Sequence, residues 1–441
     1  MDGVKDERKE QELAAVPDGA KQAGEARALR PYAEPSVWTD RMLVALEEGV
    51  KGGMWYSVHD KAFSVRALTA AFQKVKANGG APGVDGWTVR RFEEDLDRQI
   101  ARLHEELTSG TYRPRPVKRV WIPKPGSREK RPLGVPTVRD RVVQTAVRFM
   151  LEPIFEKEFS DRSYGFRPGR SCRQALRRVW LALKSGNEYV VDADLKGFFD
   201  TIPHDVIMRG LRTRIADGRM LELLQIFLKQ GILEGMDEWT PEEGTPQGSA
   251  LSPLLANIAL HGLDLTAESE GMELVRYADD FVILCRTRED ADRALAKVRE
   301  WTASVGLTLH PDKTRIVDYG SGEGFDFLGY HLRKGSAYPG GKSERRMRAK
   351  VRSMTGRTRS GSIAEIVSEL NPVVRGWSNY FRHSRVSALQ AMDGFVRRRL
   401  RGILSRRLGL WGHISHASHK KWPIAYFTAL GLFSAEQGVR K

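Results

Sequence analysis

With 441 residues, 41% of them hydrophobic and 29% charged, the chain is too long for one compact core and long enough for two or three packed modules. No apolar run approaches the roughly 20 residues of a membrane-spanning helix, and the polar N-terminus lacks the apolar stretch of a secretory signal, so no membrane partner is expected. Cys172 and Cys285 are the only cysteines, which excludes a disulfide framework and a thiolate zinc site and fits a reducing cytoplasm, while the net charge of +16 points to a polyanionic partner.

Residues 1–35 are rich in Glu, Lys, Ala, Gly and Gln and read as a disordered tail. Helical spacing begins with Met42, Leu43, Leu46 and Val50 and returns with Leu68, Phe72 and Val75. The breaker cluster Asn78-Gly79-Gly80-Ala81-Pro82-Gly83 turns the chain. Phe92 to Leu107 predicts another amphipathic helix, and Val120-Trp121-Ile122-Pro123 a strand running into a turn. Val142 to Phe159 is strongly helical. Tyr189-Val190-Val191-Asp192-Ala193-Asp194-Leu195 is a short buried strand with acidic residues at its end. Helices follow around Val206–Arg214, Arg219–Lys229 and Ser252–Leu265. Leu274–Tyr277 and Phe281–Cys285 are two β-rich runs split by a polar dipeptide, the layout of a tight hairpin. Glu289 to Val305 predicts a helix and Phe325–Leu332 a strand pair; from Glu344 the pattern is helical only. Strands with intervening helices describe an α/β or α+β sheet domain, here followed by an all-α one.

The excess charge is confined to that last part. From His331 to Lys441 there are 23 Lys and Arg against 5 Asp and Glu, a balance of +18, whereas the preceding residues, with 49 against 51, come to −2. Such a field attracts nucleic acid.

Val275-Arg276-Tyr277-Ala278-Asp279-Asp280-Phe281-Val282 places two adjacent carboxylates at a hairpin tip between apolar strands. Read alone, Asp-Asp is a turn dipeptide. Adjacent like charges beside apolar strands are costly, and a hard divalent cation relieves that cost. Two such ions held by carboxylates activate a hydroxyl and stabilise a phosphoryl transfer, which calls for a third carboxylate on a neighbouring strand. Asp194 is the best candidate, with Asp192 and Asp200 competing on spacing.

The segments around these carboxylates resemble one family in order. They are Arg131-Pro132-Leu133-Gly134-Val135-Pro136-Thr137, Tyr164-Gly165-Phe166-Arg167-Pro168-Gly169-Arg170-Ser171, Asp194-Leu195-Lys196-Gly197-Phe198-Phe199-Asp200, Gly244-Thr245-Pro246-Gln247-Gly248-Ser249, Tyr277-Ala278-Asp279-Asp280, Lys313-Thr314 and Phe325-Asp326-Phe327-Leu328-Gly329-Tyr330. That series is similar to the motif set of group II intron reverse transcriptases, and Leu370-Asn371-Pro372-Val373-Val374-Arg375-Gly376-Trp377-Ser378-Asn379-Tyr380-Phe381 resembles their maturase, or thumb, domain. Eight motifs in the right order set the Asp-Asp turn reading aside.

The resemblance implies an α+β right-hand polymerase, fingers and palm with an antiparallel sheet, followed by an all-α basic thumb. The expected division is a tail at 1–35, an N-terminal extension and fingers at 36–175, the palm at 176–335, the thumb at 336–410 and a small C-terminal DNA-binding region at 411–441. Asp194, Asp279 and Asp280 fall on the family's metal-binding carboxylates, for two Mg²⁺ or Mn²⁺ ions. Phe199 matches the aromatic under the incoming sugar, and Gln247 with Gly248 the loop against the incoming dNTP. Lys124 and Arg131 match cations on its triphosphate, with Arg128 or Lys130 as stand-ins because an extra residue lies between them. Arg173 stands where the family usually carries His. Lys313, Arg345, Arg346, Arg375, Trp377, Arg397, Arg398 and Arg399 are the implied nucleic-acid contacts. The implied partners are group II intron RNA, an RNA template with a DNA primer, target DNA and dNTP, met by a monomer in the bacterial cytoplasm. Two cysteines cannot build the Cys-paired HNH endonuclease domain of many members, so an endonuclease-lacking type is expected.

Overall fold

The computed structural model describes residues 32–123, 130–409 and 416–436; the expected tail lies outside them up to residue 31, while Ala33 is already in the core. Among the described residues the strands are, in chain order, β1 (Val117–Pro123), β2 (Lys130–Val135), β3 (Tyr189–Asp194), β4 (Ile232–Glu234), β5 (Asp237–Trp239) and β6 (Glu273–Tyr277). They continue with β7 (Asp280–Cys285), β8 (Arg315–Asp318), β9 (Gly324–Phe327), β10 (Tyr330–Arg333) and β11 (Ser336–Pro339). They form three sheets, ordered β2-β1-β4-β5, β6-β7-β3-β8 and β11-β10-β9.

The sheet β6-β7-β3-β8 is antiparallel throughout and covered on both faces. Side chains alternate along a strand, so Val191, Ala193, Phe281 and Ile283 enter one core with the helices Val138–Glu156, Ser252–Ser269 and Arg288–Ser304. Val190, Val275, Val282 and Leu284 enter a second, shared with the helices Ile363–Tyr380 and Val386–Arg407. Burial on both faces explains why these strands read as continuous apolar runs. The α+β fold with a C-terminal helical domain is therefore the observed one.

The thumb helix Ile363–Tyr380 starts at a capping box in which Ser362 and Glu365 each bond the other's backbone N–H. Residues 416–436 pack into the same core through Trp422 and Phe427. Asp393 accepts the Ala435 N–H at 2.8 Å and the Ser434 hydroxyl at 2.6 Å, and the Ser378 hydroxyl donates to the Ala435 carbonyl at 2.9 Å. The described part of 411–441 is thus built onto the thumb. β11 begins at the 335/336 boundary and pairs with β10, which pairs with β9, so this sheet spans the expected division between palm and thumb.

Several elements differ from the sequence pattern. β2 contains Pro132 and Gly134, both poor strand formers, and is held by six pairs to β1. β4, β5 and β8 are three or four residues long, too short to show a period. The helix expected over Phe92–Leu107 breaks at Asp95 into Val89–Glu94 and Leu96–Ser109.

Candidate active site

Asp194 ends β3 directly opposite Asp280, the first residue of β7; Ala193 faces Phe281 and Asp192 faces Val282. The β6–β7 hairpin closes through Ala278 and Asp279, between the pair Tyr277 and Asp280. This corrects the expected polar-dipeptide turn: the loop is Ala278-Asp279, and Asp280 belongs to the ladder because it pairs across to both neighbouring strands. The structure therefore brings Asp279, Asp280 and Asp194 to one edge of the sheet. Asp192 lies one same-face step further along β3, beside Arg315. Asp200 sits beyond, in the helical turn Phe198–Thr201.

Ala278 has φ +60°, a conformation an L-residue keeps only when its surroundings enforce it. Arg276 does so from beneath. Its fully buried guanidinium pairs with the Asp264 carboxylate at 2.5 and 2.7 Å and donates to the Ala278 carbonyl and to Asn257 Oδ1, each at 3.0 Å. Asn257 in turn donates to the Gly165 carbonyl at 2.8 Å. A Cβ on Gly165 would collide with the Ala278 backbone nitrogen, so only glycine lets the two segments meet. Sequence reasoning missed Arg276, Asp264 and Asn257. The available signal was a charged residue in each of two otherwise apolar elements.

Burial raises the Asp280 carboxyl to about 7, with the negative charges of Asp192, Asp279 and Asp194 adding to it. Asp192 is raised to about 6, mainly by burial, against the pull of Arg315 at 3.6 Å. Asp279 is raised by burial and by Asp194, and lowered by the positive charges of Arg131 and Lys313. Lys313 Nζ donates to Asp194 Oδ2 at 2.7 Å. As placed, no group of three or more His, Cys, Asp or Glu side chains among the described residues stands ready to hold a metal ion. The donor chemistry nevertheless fits a hard divalent cation: clustered carboxylate oxygens, with burial and neighbouring negative charge raising Asp279 and Asp280, a cost that positive charge relieves.

The other expected residues are distributed as follows. Phe199 is half-buried, edge-on to buried Phe198 at 5.5 Å and to exposed Phe166 at 6.2 Å. Gln247 lies by Asp200, its Nε2 3.3 and 3.4 Å from that carboxylate, and its carbonyl accepts the Gly134 N–H at 2.7 Å. The loop thereby bolts palm to fingers. Gly248 has φ +116° and packs on the Gly134 carbonyl, where a Cβ would collide. Arg131 is exposed on β2 opposite Ile122, and Lys124 lies outside the described residues.

In the thumb, Arg345, Arg346, Arg375 and Arg398 are exposed, and Arg375 covers the Phe433 ring at 4.7 Å. Arg397 is half-buried. Arg399 binds the Thr355 hydroxyl and carbonyl at 3.1 and 2.6 Å, which joins two thumb helices. Trp377 is half-buried against Phe381, 5.0 Å between ring centres.

Opposed carboxylates on an antiparallel palm sheet, with a finger sheet beside them and a basic helical thumb behind, define a template-directed nucleotidyl transferase. Residues 122–332 match the family model for reverse transcriptase (RNA-dependent DNA polymerase), and residues 344–422 match the group II intron maturase-specific domain. The chain is 36% identical over 297 residues to protein YkfC of Escherichia coli (strain K12), covering 58% of this chain and 77% of that protein. It is 43% identical over 196 residues to the group II intron-encoded protein LtrA of Lactococcus lactis subsp. cremoris, covering 44% of this chain and 32% of LtrA, so that match spans about a third of LtrA's length. Among solved structures, a chain of a partial Cas6-RT-Cas1–Cas2 complex is similar at 24% identity, with a TM-score of 0.36 over 55% of this chain and 41% of that one. The chain belongs to the group II intron reverse transcriptase/maturase family. By class it is an RNA-directed DNA polymerase carrying a maturase domain, its partners are nucleic acids, and its family works with divalent metal ions.

Proposed function

We propose that the protein copies group II intron RNA into DNA at the Asp194–Asp279–Asp280 centre and holds the same RNA on its basic thumb to promote splicing. The observation that carries this reading is the register that sets Asp194 against Asp280, with Asp279 in the adjoining loop. When bound there, two Mg²⁺ or Mn²⁺ ions supply the charge that activates a primer 3′-hydroxyl and neutralises the departing pyrophosphate. The protein's own part is placement. Asp194, Asp279 and Asp280 present the oxygens, and Arg276 fixes the loop that carries Asp279 and leads into Asp280. Lys313 neutralises Asp194 through their ion pair. Arg131, whose charge reaches Asp279, neutralises the dNTP triphosphate together with Lys124. Phe199 lies under the incoming sugar and selects against a 2′-hydroxyl, while the Gln247-Gly248 loop backs the nucleotide.

On the thumb, Arg345, Arg346, Arg375, Arg397 and Arg398 contact phosphates of intron RNA, of the template–primer duplex and of target DNA. Two free thiols and no helix among the described residues long and apolar enough to cross a membrane suit a monomer working on RNA in the bacterial cytoplasm.

Intron-transcript binding and splicing test the dual role. An Asp279→Ala/Asp280→Ala variant should bind and splice the transcript while making no cDNA. Arg345→Glu/Arg346→Glu/Arg398→Glu should lose the binding. Binding of the intron no tighter than that of an unrelated RNA of equal length overturns the maturase half of the proposal.

A further inference from the structure

Phe166 combines two features that oppose each other. Its φ is +60°, a conformation that disfavours bulky side chains, yet its ring is 44% exposed and gains little from burial. Glycine would suit that backbone better. The residues on either side explain how the conformation persists. The Tyr164 N–H donates to the Arg276 carbonyl and the Arg276 N–H to the Arg162 carbonyl, each at 2.9 Å. Gly165 is pinned by Asn257 and by its contact with Ala278. Arg167, 6% exposed, is anchored to Glu156 at 2.8–3.0 Å and donates to the Ser163 carbonyl at 2.7 Å. The chain is thus held on both sides of Phe166, before it by the supports of the aspartate loop and after it by Glu156 and the Ser163 carbonyl, and a large ring is projected from between them.

That ring meets Phe199, edge to face, with centroids 6.2 Å apart and planes at 77°. Phe199 meets buried Phe198 in the same way at 5.5 Å and 69°. The Phe199 ring therefore has two edge-to-face partners, one a core ring and one a strained, exposed ring. Each such contact resists displacement of the ring, so Phe199 yields less readily to a bulkier sugar with both partners than with Phe198 alone.

We infer that Phe166 is a positioning residue for nucleotide selection: it braces the Phe199 ring so that the site rejects ribonucleotides. This rests on the reading of Phe199 as the residue under the incoming sugar. Strain concentrated at a residue that touches the selecting ring, and is tied to the aspartate loop through Gly165, is the pattern of stored strain at a functional site. The brace also links sugar selection to the position of Asp279 and Asp280.

Single-nucleotide extension of a DNA primer on an RNA template, with the matched dNTP and then the matched rNTP, tests the inference in the full-length protein. The readout is the ratio of the two kcat/KM values. Phe166→Ala and Phe166→Gly should both lower that ratio by about threefold to tenfold, the range that one lost edge-to-face contact supplies. Phe166→Tyr should keep it. Combining Phe166→Ala with Phe199→Ala should lower it no further than Phe199→Ala alone. An unchanged ratio in Phe166→Ala, or loss in Phe166→Ala with full retention in Phe166→Gly, overturns the inference, because the ring would then not be the selecting element. If Phe199→Ala itself leaves the ratio unchanged, the sugar-contact reading of Phe199 fails first, which is a separable result.

Discussion

Asp280 faces Asp194 across the sheet and shares its surroundings with Asp192, so the charges at this edge depend strongly on pH. In the metal-free protein Asp280 and Asp192 keep protons up to about 7 and about 6, against an ordinary 3.8. A carboxyl raised in the folded state contributes stability that is complete below its ordinary value and is lost as pH rises through the raised one. Metal-free protein should therefore lose stability as pH rises from about 4 to about 7, where these groups still hold protons in the folded state but not in the unfolded one. Mg²⁺ should raise the melting temperature clearly at about pH 8 and much less at about pH 5.5, where it must displace protons. Thermal melts in EDTA and in Mg²⁺ read the difference; an Mg²⁺ effect that grows toward acid would contradict a metal site built on these residues. Arg276 belongs to the same scale. Arg276→Ala leaves Asp264 buried without its partner and should cost about 3–5 kcal/mol of stability, measured by urea unfolding. A cost below 1 kcal/mol, within the surface range, would mean the pair does not support the loop.

The aspartate loop is held less by its own hairpin than by the segment that crosses behind it. Gly165→Ala places a methyl against the Ala278 backbone and should displace the loop, lowering kcat at least tenfold while nucleic-acid affinity stays within about twofold, as expected where only transition-state contacts suffer. Rates within twofold of the parent would show that the two segments part easily. Single-nucleotide extension under saturating template measures it. The strands β3, β6 and β7 were legible because both faces are buried and their residues are β-branched. Asp279 and Asp280 were legible as charges in an apolar setting. The Arg276–Asp264–Asn257 network was not, since its members lie on a strand and a helix that only the tertiary fold joins. The division of labour between Asp192, Asp194 and Asp200 also needed the register, which local spacing does not contain.

Across the whole molecule, charge and chemistry are segregated: the nearly neutral first three quarters carry the carboxylates, and the +18 belongs to His331–Lys441, whose helices Ile363–Tyr380 and Val386–Arg407 share a core with the same sheet. The charge asymmetry was readable from composition. Which arginines are free was not: Arg399 and Arg401 turn inward to Thr355 and the Trp422 carbonyl, whereas Arg345, Arg346 and Arg398 remain exposed. Replacing one of these three with Gln should lower the slope of log affinity against log salt by about 0.7–0.9, the value of one phosphate contact. Filter binding across a salt series reads it, and an unchanged slope would remove that residue from the interface. On the proposed function, Asp194, Asp279 and Asp280 together form an RNA-templated DNA-synthesis centre. Extension of a DNA primer annealed to RNA, in Mg²⁺ with all four dNTPs, tests it most directly. The parent protein should make full-length cDNA, and Asp194→Asn, Asp279→Asn and Asp280→Asn should each make less than about a thousandth as much, in line with losing a principal transition-state contact worth at least 4 kcal/mol. Normal synthesis by any of the three variants, or none by the parent protein, would contradict it.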